Sequence, residues 1–204
     1  ICNSELKLVA TDEKCTINPS SIYGKTKQEQ EKMVMSSGEL LEIPSVAFRY
    51  QNVYGPGQSL LNPYTGILSI FSTRILNGND LNIYEDGKES RDFVYIEDVV
   101  DATILGIEKD EANGQVFNVG SGVATTVMQV AESLRKRYNS TISIVISGDY
   151  RLGDIRHNYA DINKIKNVLG FSPKYNFQEG ISEFVKWVET QEIMEDKYER
   201  SIKE

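Results

Sequence analysis

Tyr23 and Lys27 stand four residues apart in the run Tyr23-Gly24-Lys25-Thr26-Lys27, a spacing that puts both side chains on one face of a helix. The pair suits acid/base work on a hydroxyl group. A phenol ionises near pH 10 and is a poor base at neutral pH, but an ammonium beside it favours the phenolate. Bringing a phenol to about 7 takes about 3 pH units, or roughly 4 kcal/mol of differential interaction. One lysine and a second positive charge nearby together are of the right order. Tyr-x-x-x-Lys alone is common on solvated helix faces, so its surroundings decide what it does.

The elements around the pair alternate between helix and strand, which predicts an α/β class. Residues 20–37 read as a helix rich in Lys, Gln and Glu, stopped near Gly38. Residues 43–50 read as a buried strand running into the turn Tyr54-Gly55-Pro56-Gly57. Asn62 and Pro63 look like the start of a helix carrying Ile67, Leu68, Phe71 and Ile75 and closed by Asn77-Gly78. A strand over 81–84, a turn at Asp86-Gly87 and a returning strand over 91–95 read as a hairpin. A helix over 96–108, a strand over 115–119, a helix capped by Thr125 and running to 138, and a strand over 142–146 follow. Asp161 can cap a short helix ending at Gly170, and 178 to about 198 reads as a last helix with Phe184, Val185 and Val188 facing inward.

The formal net charge of −8 argues against a general nucleic-acid binder, which needs a broad basic face. It leaves room for a nucleotide ligand, since one or two placed arginines can hold a pyrophosphate. No run approaches the roughly 20 apolar residues of a membrane span, and the first residues lack the pattern of a signal peptide. Two cysteines without a CxxC and one histidine make a disulfide framework or a zinc site improbable. Cytoplasmic residence is the expectation.

Five further runs accompany Pro19-Ser20-Ser21-Ile22-Tyr23-Gly24-Lys25-Thr26-Lys27 and Glu31: residues 49–58 (Arg-Tyr-Gln-Asn-Val-Tyr-Gly-Pro-Gly-Gln), 89–99 (Glu-Ser-Arg-Asp-Phe-Val-Tyr-Ile-Glu-Asp-Val), 117–122 (Phe-Asn-Val-Gly-Ser-Gly), 151–161 (Arg-Leu-Gly-Asp-Ile-Arg-His-Asn-Tyr-Ala-Asp), and 169–173 (Leu-Gly-Phe-Ser-Pro) with Trp187 beyond. In this order they resemble the extended short-chain dehydrogenase/reductase family, specifically its NAD-dependent nucleotide-sugar epimerases and dehydratases. The resemblance covers nearly the whole chain. It implies the last strands and helices of a Rossmann-like parallel sheet together with a small α/β substrate-binding domain. Residues 1–60 would be a remnant of the NAD-binding domain, and 61–204 mainly the nucleotide-sugar domain, with about 90–120 returning to the Rossmann sheet.

The resemblance also implies roles. Tyr23 would be the acid/base and Lys27 the ligand of the nicotinamide ribose of NAD, with Gln51 beside the nicotinamide. Asn52, Arg91, Arg151 and Asp154 would meet the sugar diphosphate, the arginines through a fork that suits phosphate oxygens. Asn62, Leu68, Ile83 and Tyr84 would flank the base and ribose of a dTDP- or UDP-sugar. Tyr50, Tyr54 and Tyr95 read as packing residues, and His157 as a structural hydrogen-bonder. Asp92 and Asp98 read as loop ties and caps of the following helix, Gly120-Ser121-Gly122 as a strand-to-helix turn, and Cys15 as a spectator. The run over 62–71 and the form Arg-Leu-Gly-Asp-Ile-Arg-His look most like sugar 4-epimerases, with a dTDP-rhamnose-type substrate favoured. Such an enzyme would be a homodimer through the catalytic helix and its neighbour.

The sequence contains no Gly-x-x-Gly-x-x-Gly turn, the element that grips the pyrophosphate of NAD at a helix N-terminus. The family's catalytic Ser or Thr has only Ser4 and Thr11 as nearby candidates. The expectation is therefore the C-terminal part of a longer enzyme, inactive alone. A nucleotide-sugar 4,6-dehydratase is one alternative, suggested by Thr11-Asp12-Glu13, whose place just before the helix counts against it. A non-catalytic nucleotide-sugar-binding module is the other.

Overall fold

The computed structural model of the chain describes residues 8–60, 66–150 and 154–192. Helix α1 spans Ile22–Leu41, and Ser21 caps it by accepting the Gly24 N–H on its Oγ at 3.1 Å. It runs three residues past Gly38, where it was expected to stop. Gly38 is buried against Ser45, whose side chain fills the place a Cβ would need. Termination falls instead to Glu42 in the left-handed region at φ 55, followed by Pro44, which cannot extend a helix.

Strand β1 (Val46–Tyr50) pairs in parallel with β5 (Gln115–Val119), and β2 (Asn52–Tyr54) in parallel with β4 (Ser90–Tyr95). Gln51 alone separates β1 from β2, and its N–H reaches Val119 O at 2.9 Å. One nearly continuous strand thus passes from one partner to the other. Strand β6 (Ala124–Thr126) runs antiparallel to β4, while β3 (Leu81–Ile83) pairs in parallel with β7 (Ile144–Ile146). The expected hairpin between 81–84 and 91–95 does not form, although Gly87 makes its turn at φ 72. All of β4 except Arg91 is buried, and a strand covered on both faces belongs between two neighbours. Here those are β2 and β6.

The helices follow the apolar periodicity, with shifted ends. Helix α2 is described over Ile67–Leu76, and α3 spans Ile96–Glu108, as expected. Helix α4 (Val127–Arg137) is capped by Thr126, one residue after the expected Thr125, because only Thr126 can exchange bonds with Gln129. Helix α5 is Asn163–Leu169, closed by Gly170 at φ 69. Asp161 accepts the Asn163 N–H from one position before the cap. Helix α6 (Phe177–Glu189) starts behind an Asn176–Glu179 capping box and ends at Thr190, well short of 198. No helix among the described residues is long and apolar enough to cross a membrane.

Alternation along β4 feeds two cores. Phe93 and Tyr95 pack with Tyr54, Phe71, Leu81, Leu134 and Phe184. Val94, on the other face, packs with Phe117, Val119, Ile165 and Phe171. Asp92 is fully buried among these and accepts four bonds: from Ser121 N (2.7 Å), Ser121 Oγ (2.6 Å), Gly122 N (3.0 Å) and Ala160 N (3.2 Å). Asp98, also buried, leaves its own helix uncapped and ties the loop of α6 through Lys174 N and Tyr175 N.

Asp92→Ala would strand those donors where water cannot replace the acceptor. The expected cost is about 3 kcal/mol, read from the urea midpoint at unchanged slope. A loss under about 1 kcal/mol would mean that the three segments hold together without the carboxylate.

Candidate active site

Tyr23 and Lys27 project from the first two turns of α1. The Lys27 Nζ stands 5.6 Å from the centroid of the Tyr23 ring and donates to Gln30 Oε1 at 3.2 Å. Tyr23 is 71% exposed. Beside the pair lies a cavity of about 300 Å³, bounded on one side by Gly24, Lys27 and Glu31 of α1 and on another by residues 11–17. Its floor is Arg49, Gln51, Asn118 and Asn158. Lys27 and Gln51, both expected at the cofactor, meet here; Tyr23 adjoins the cavity without lining it.

The walls are stitched by a small set of bonds. Arg49 donates from Nε and Nη2 to the two carboxylate oxygens of Glu31 at 2.8 and 2.7 Å, and from Nη1 to Glu13 O at 3.2 Å. The Asn118 N–H donates to Glu13 Oε1 at 2.8 Å, and its Nδ2 to Thr11 O and Asp161 O. Thr11 bridges Ala160 as an isolated parallel pair. Asn158 Nδ2 donates to Gln51 Oε1 at 3.0 Å, which leaves the Gln51 amide nitrogen as its remaining donor. Cys15, taken for a spectator, also stands on the cavity wall and is exposed.

A second cluster surrounds Arg91 at the edge of β4. Its Nη1 donates to Ser90 O and Arg156 O, and its Nη2 to Asp154 Oδ1 at 2.9 Å. Asp154 and Arg91, both expected at the diphosphate, are thus bonded to each other. Arg156 faces three carboxylates, Glu85, Asp86 and Glu89. Hydrogen bonds from Arg156 hold Asp86 down at about 2, whereas burial and the neighbouring acids push Glu89 up. His157 bonds Ser90 Oγ through Nδ1 at 2.9 Å, the structural part expected of it.

Several expected ligand residues are placed differently. Leu68 and Ile83 are each 1% exposed and fill the core, so their side chains have no surface to offer a nucleotide. Tyr84 is half-buried, and Asn52 is exposed on β2. Tyr50, expected to pack, is 45% exposed, stacking on Phe48 and bonding Thr103 Oγ1. Asn62 and Arg151 lie outside the described residues. The part of Arg49, Asn118 and Asn158 in the cavity, and of Glu13 behind them, was not foreseen. Arg49 carried one signal: a charge inside the otherwise apolar run Val46-Ala47-Phe48.

A family model described as "NAD dependent epimerase/dehydratase family" matches residues 5–120. The dTDP-L-rhamnose 4-epimerase of Burkholderia thailandensis is 36% identical over 170 residues, 83% of this chain and 47% of that protein. The crystal structure of UDP-glucose 4-epimerase from Thermotoga maritima with UDP-glucose matches with a TM-score of 0.84 at 34% identity, covering 91% of this chain and 59% of that one. UDP-glucuronic acid 4-epimerase from Bacillus cereus, in complex with UDP-glucuronic acid and NAD, matches with a TM-score of 0.80 at 26% identity, covering 90% and 57%. The chain spans about half the length of the curated relatives it matches.

The Arg49–Glu31 pair gives the site a pH signature. Arg49's hydrogen bonds hold the Glu31 carboxyl below its ordinary value of 4.5, outweighing burial. Folding therefore favours the ionised form; that stabilisation is complete above the unfolded carboxylate range and is lost as pH falls through the lowered value. Wild type is expected to be more stable than Glu31→Gln at neutral pH, with the two curves converging below about pH 4. Urea titrations across pH check this, and a gap that persists in acid would place Glu31's contribution elsewhere.

Proposed function

The chain belongs to the NAD-dependent epimerase/dehydratase family, and from that premise we propose that it carries the acid/base pair and the sugar-nucleotide side of a 4-epimerase acting on a nucleotide-diphosphate sugar. The observation that carries this reading is the Tyr23–Lys27 pair beside a cavity floored by Gln51. A dTDP-L-rhamnose-type substrate is favoured by the 36% identity to an enzyme of that name, with UDP-hexoses next.

The cavity fits one end of the cofactor. About 300 Å³ is at the small end for a ligand site, enough for a ring and its sugar rather than a whole dinucleotide. An ammonium and the amides of Gln51, Asn118 and Asn158 suit the hydroxyls and carboxamide of a nicotinamide riboside. When bound, NAD supplies the acceptor and donor of hydride at the sugar carbon. Lys27 would hold the ribose hydroxyls and, through its charge, favour the Tyr23 phenolate. Tyr23 Oη would take the proton of the sugar's C4 hydroxyl and return one after the keto sugar has turned its other face. Arg91 would grip the diphosphate, exchanging Asp154 for phosphate oxygens, while Asn52 meets the sugar side.

Dehydration is disfavoured because the acids it would draw on are engaged. Glu13 takes the Asn118 N–H, and Asp12 closes a turn on Lys14 N. In the same reading residues 1–60 are a remnant of the NAD-binding domain with the catalytic helix, 61–204 are mainly the nucleotide-sugar domain with about 90–120 returning to the Rossmann sheet, and the enzyme is a cytoplasmic homodimer. Exposed Met33, Val34 and Leu40 on α1 and Ile104 and Ile107 on α3 support such a contact.

In the enzyme containing this chain, Tyr23→Phe is expected to lower turnover of dTDP-L-rhamnose or UDP-glucose with added NAD by about 10²- to 10⁴-fold. Binding of the sugar nucleotide should barely change. NMR of the sugar's anomeric proton follows both epimers; full turnover by the variant would remove Tyr23 from the acid/base role.

A further inference from the structure

We infer that Arg49 is the positioning residue of the cavity, setting the rotation of α1 against β1 and thereby the place of the Lys27 ammonium. The inference rests on the cofactor reading of the cavity and deepens it. Among the described side chains of α1, burial offers little grip: of its 20 residues only Gly38 is buried, and Ile22, Met33 and Leu40 face outward. Within this chain the grip on α1 is directional: Arg49 makes two parallel bonds of 2.8 and 2.7 Å to Glu31. A fork on a carboxylate fixes an angle, where a single contact fixes only a distance.

Glu31 stands four residues after Lys27, on the same face of the helix, and both line the cavity. A turn of α1 that broke the fork would carry Lys27 with it. Arg49 itself sits in β1 with Asn118 as its register partner in β5. Its third bond, to Glu13 O, fastens the opposite wall, which Asn118 holds through the Glu13 carboxylate. The pair is only partly solvated, with side chains 26% and 20% exposed, so solvent screens it less than a surface pair.

The test is calorimetric titration with NAD of the enzyme containing this chain, with helix content followed by circular dichroism. Lys27→Ala and Arg49→Ala are each expected to weaken NAD about tenfold or more. If Arg49 acts through Lys27, the double variant should bind no more weakly than Lys27→Ala alone. The swapped pair Arg49→Glu with Glu31→Arg should recover most of the loss. Should Arg49→Ala lose helix content, Glu31→Gln breaks the same fork and is expected to show the same coupling to Lys27. Losses that add, or an Arg49→Ala and Glu31→Gln that bind NAD like wild type while Lys27→Ala does not, would overturn the inference and leave the cofactor reading standing. A wild-type enzyme that does not bind NAD would overturn that reading, and the inference with it.

Discussion

A carboxylate shut away from water must have its oxygens satisfied or the structure around it gives way. Asp92 meets that demand with donors from two other segments, so that three are joined. It lies in β4, its Oδ1 receives Ser121 N and Oγ, and its Oδ2 receives Gly122 N and Ala160 N. The turn after β5 is thereby pulled against β4, and the segment ending at Ala160 is drawn in beside both. Gly120 is part of the same constraint, since a Cβ there would collide with the Asp92 carboxylate. The Gly120-Ser121-Gly122 turn is shaped to wrap an acid of its own chain, rather than to receive a phosphate.

Both candidate sites hang from this junction. The segment that Asp92 anchors at Ala160 carries Asn158, which orients Gln51 at the cavity, and Arg156 and His157, which frame Arg91. Thr11 pairs with Ala160 and brings the outer wall of the cavity to the same point. The cavity and the Arg91 cluster are therefore two sides of one backbone segment. A displacement of 158–160 would disturb both together.

What could be read beforehand followed from periodicity and from motifs confined to one element. The bounds of α3 and β5 come directly from the apolar spacing over 96–108 and 115–119. Tyr23 and Lys27 share a helix, so four residues of spacing suffice to bring them together. Partnerships across the chain left no such trace. Asp86-Gly87 makes the local turn of a hairpin, yet β3 joins β7 some 60 residues later, because the burial of β4 on both faces calls for other neighbours. Gly38 resembled a helix stop for the same local reason, whereas its value lies in the room it leaves for Ser45. Leu68 and Ile83 show the limit of carrying roles by motif. A position beside a ligand in a fold can contribute backbone, while its side chain belongs to the core.

The charge pattern bears on the proposed anionic ligand. With a net charge of −8, long-range attraction cannot steer a diphosphate, and beyond about 8 Å such fields are screened at physiological salt. Recognition has to come from short, directional contacts. Near β3, Arg156 spends its guanidinium on Glu85, Asp86 and Glu89, an arrangement that neutralises acids and leaves no positive excess for phosphate. Arg91 differs: one carboxylate, Asp154, occupies its Nη2, and that carboxylate is itself half exposed, at 52%. Exchanging Asp154 for phosphate oxygens sacrifices little on the acid's side, because that carboxylate is well exposed and returns to water. Breaking the Arg156 cluster would instead release three carboxylates upon one another. By that comparison Arg156 is the structural arginine of the pair, and Arg91 the one free to change partners.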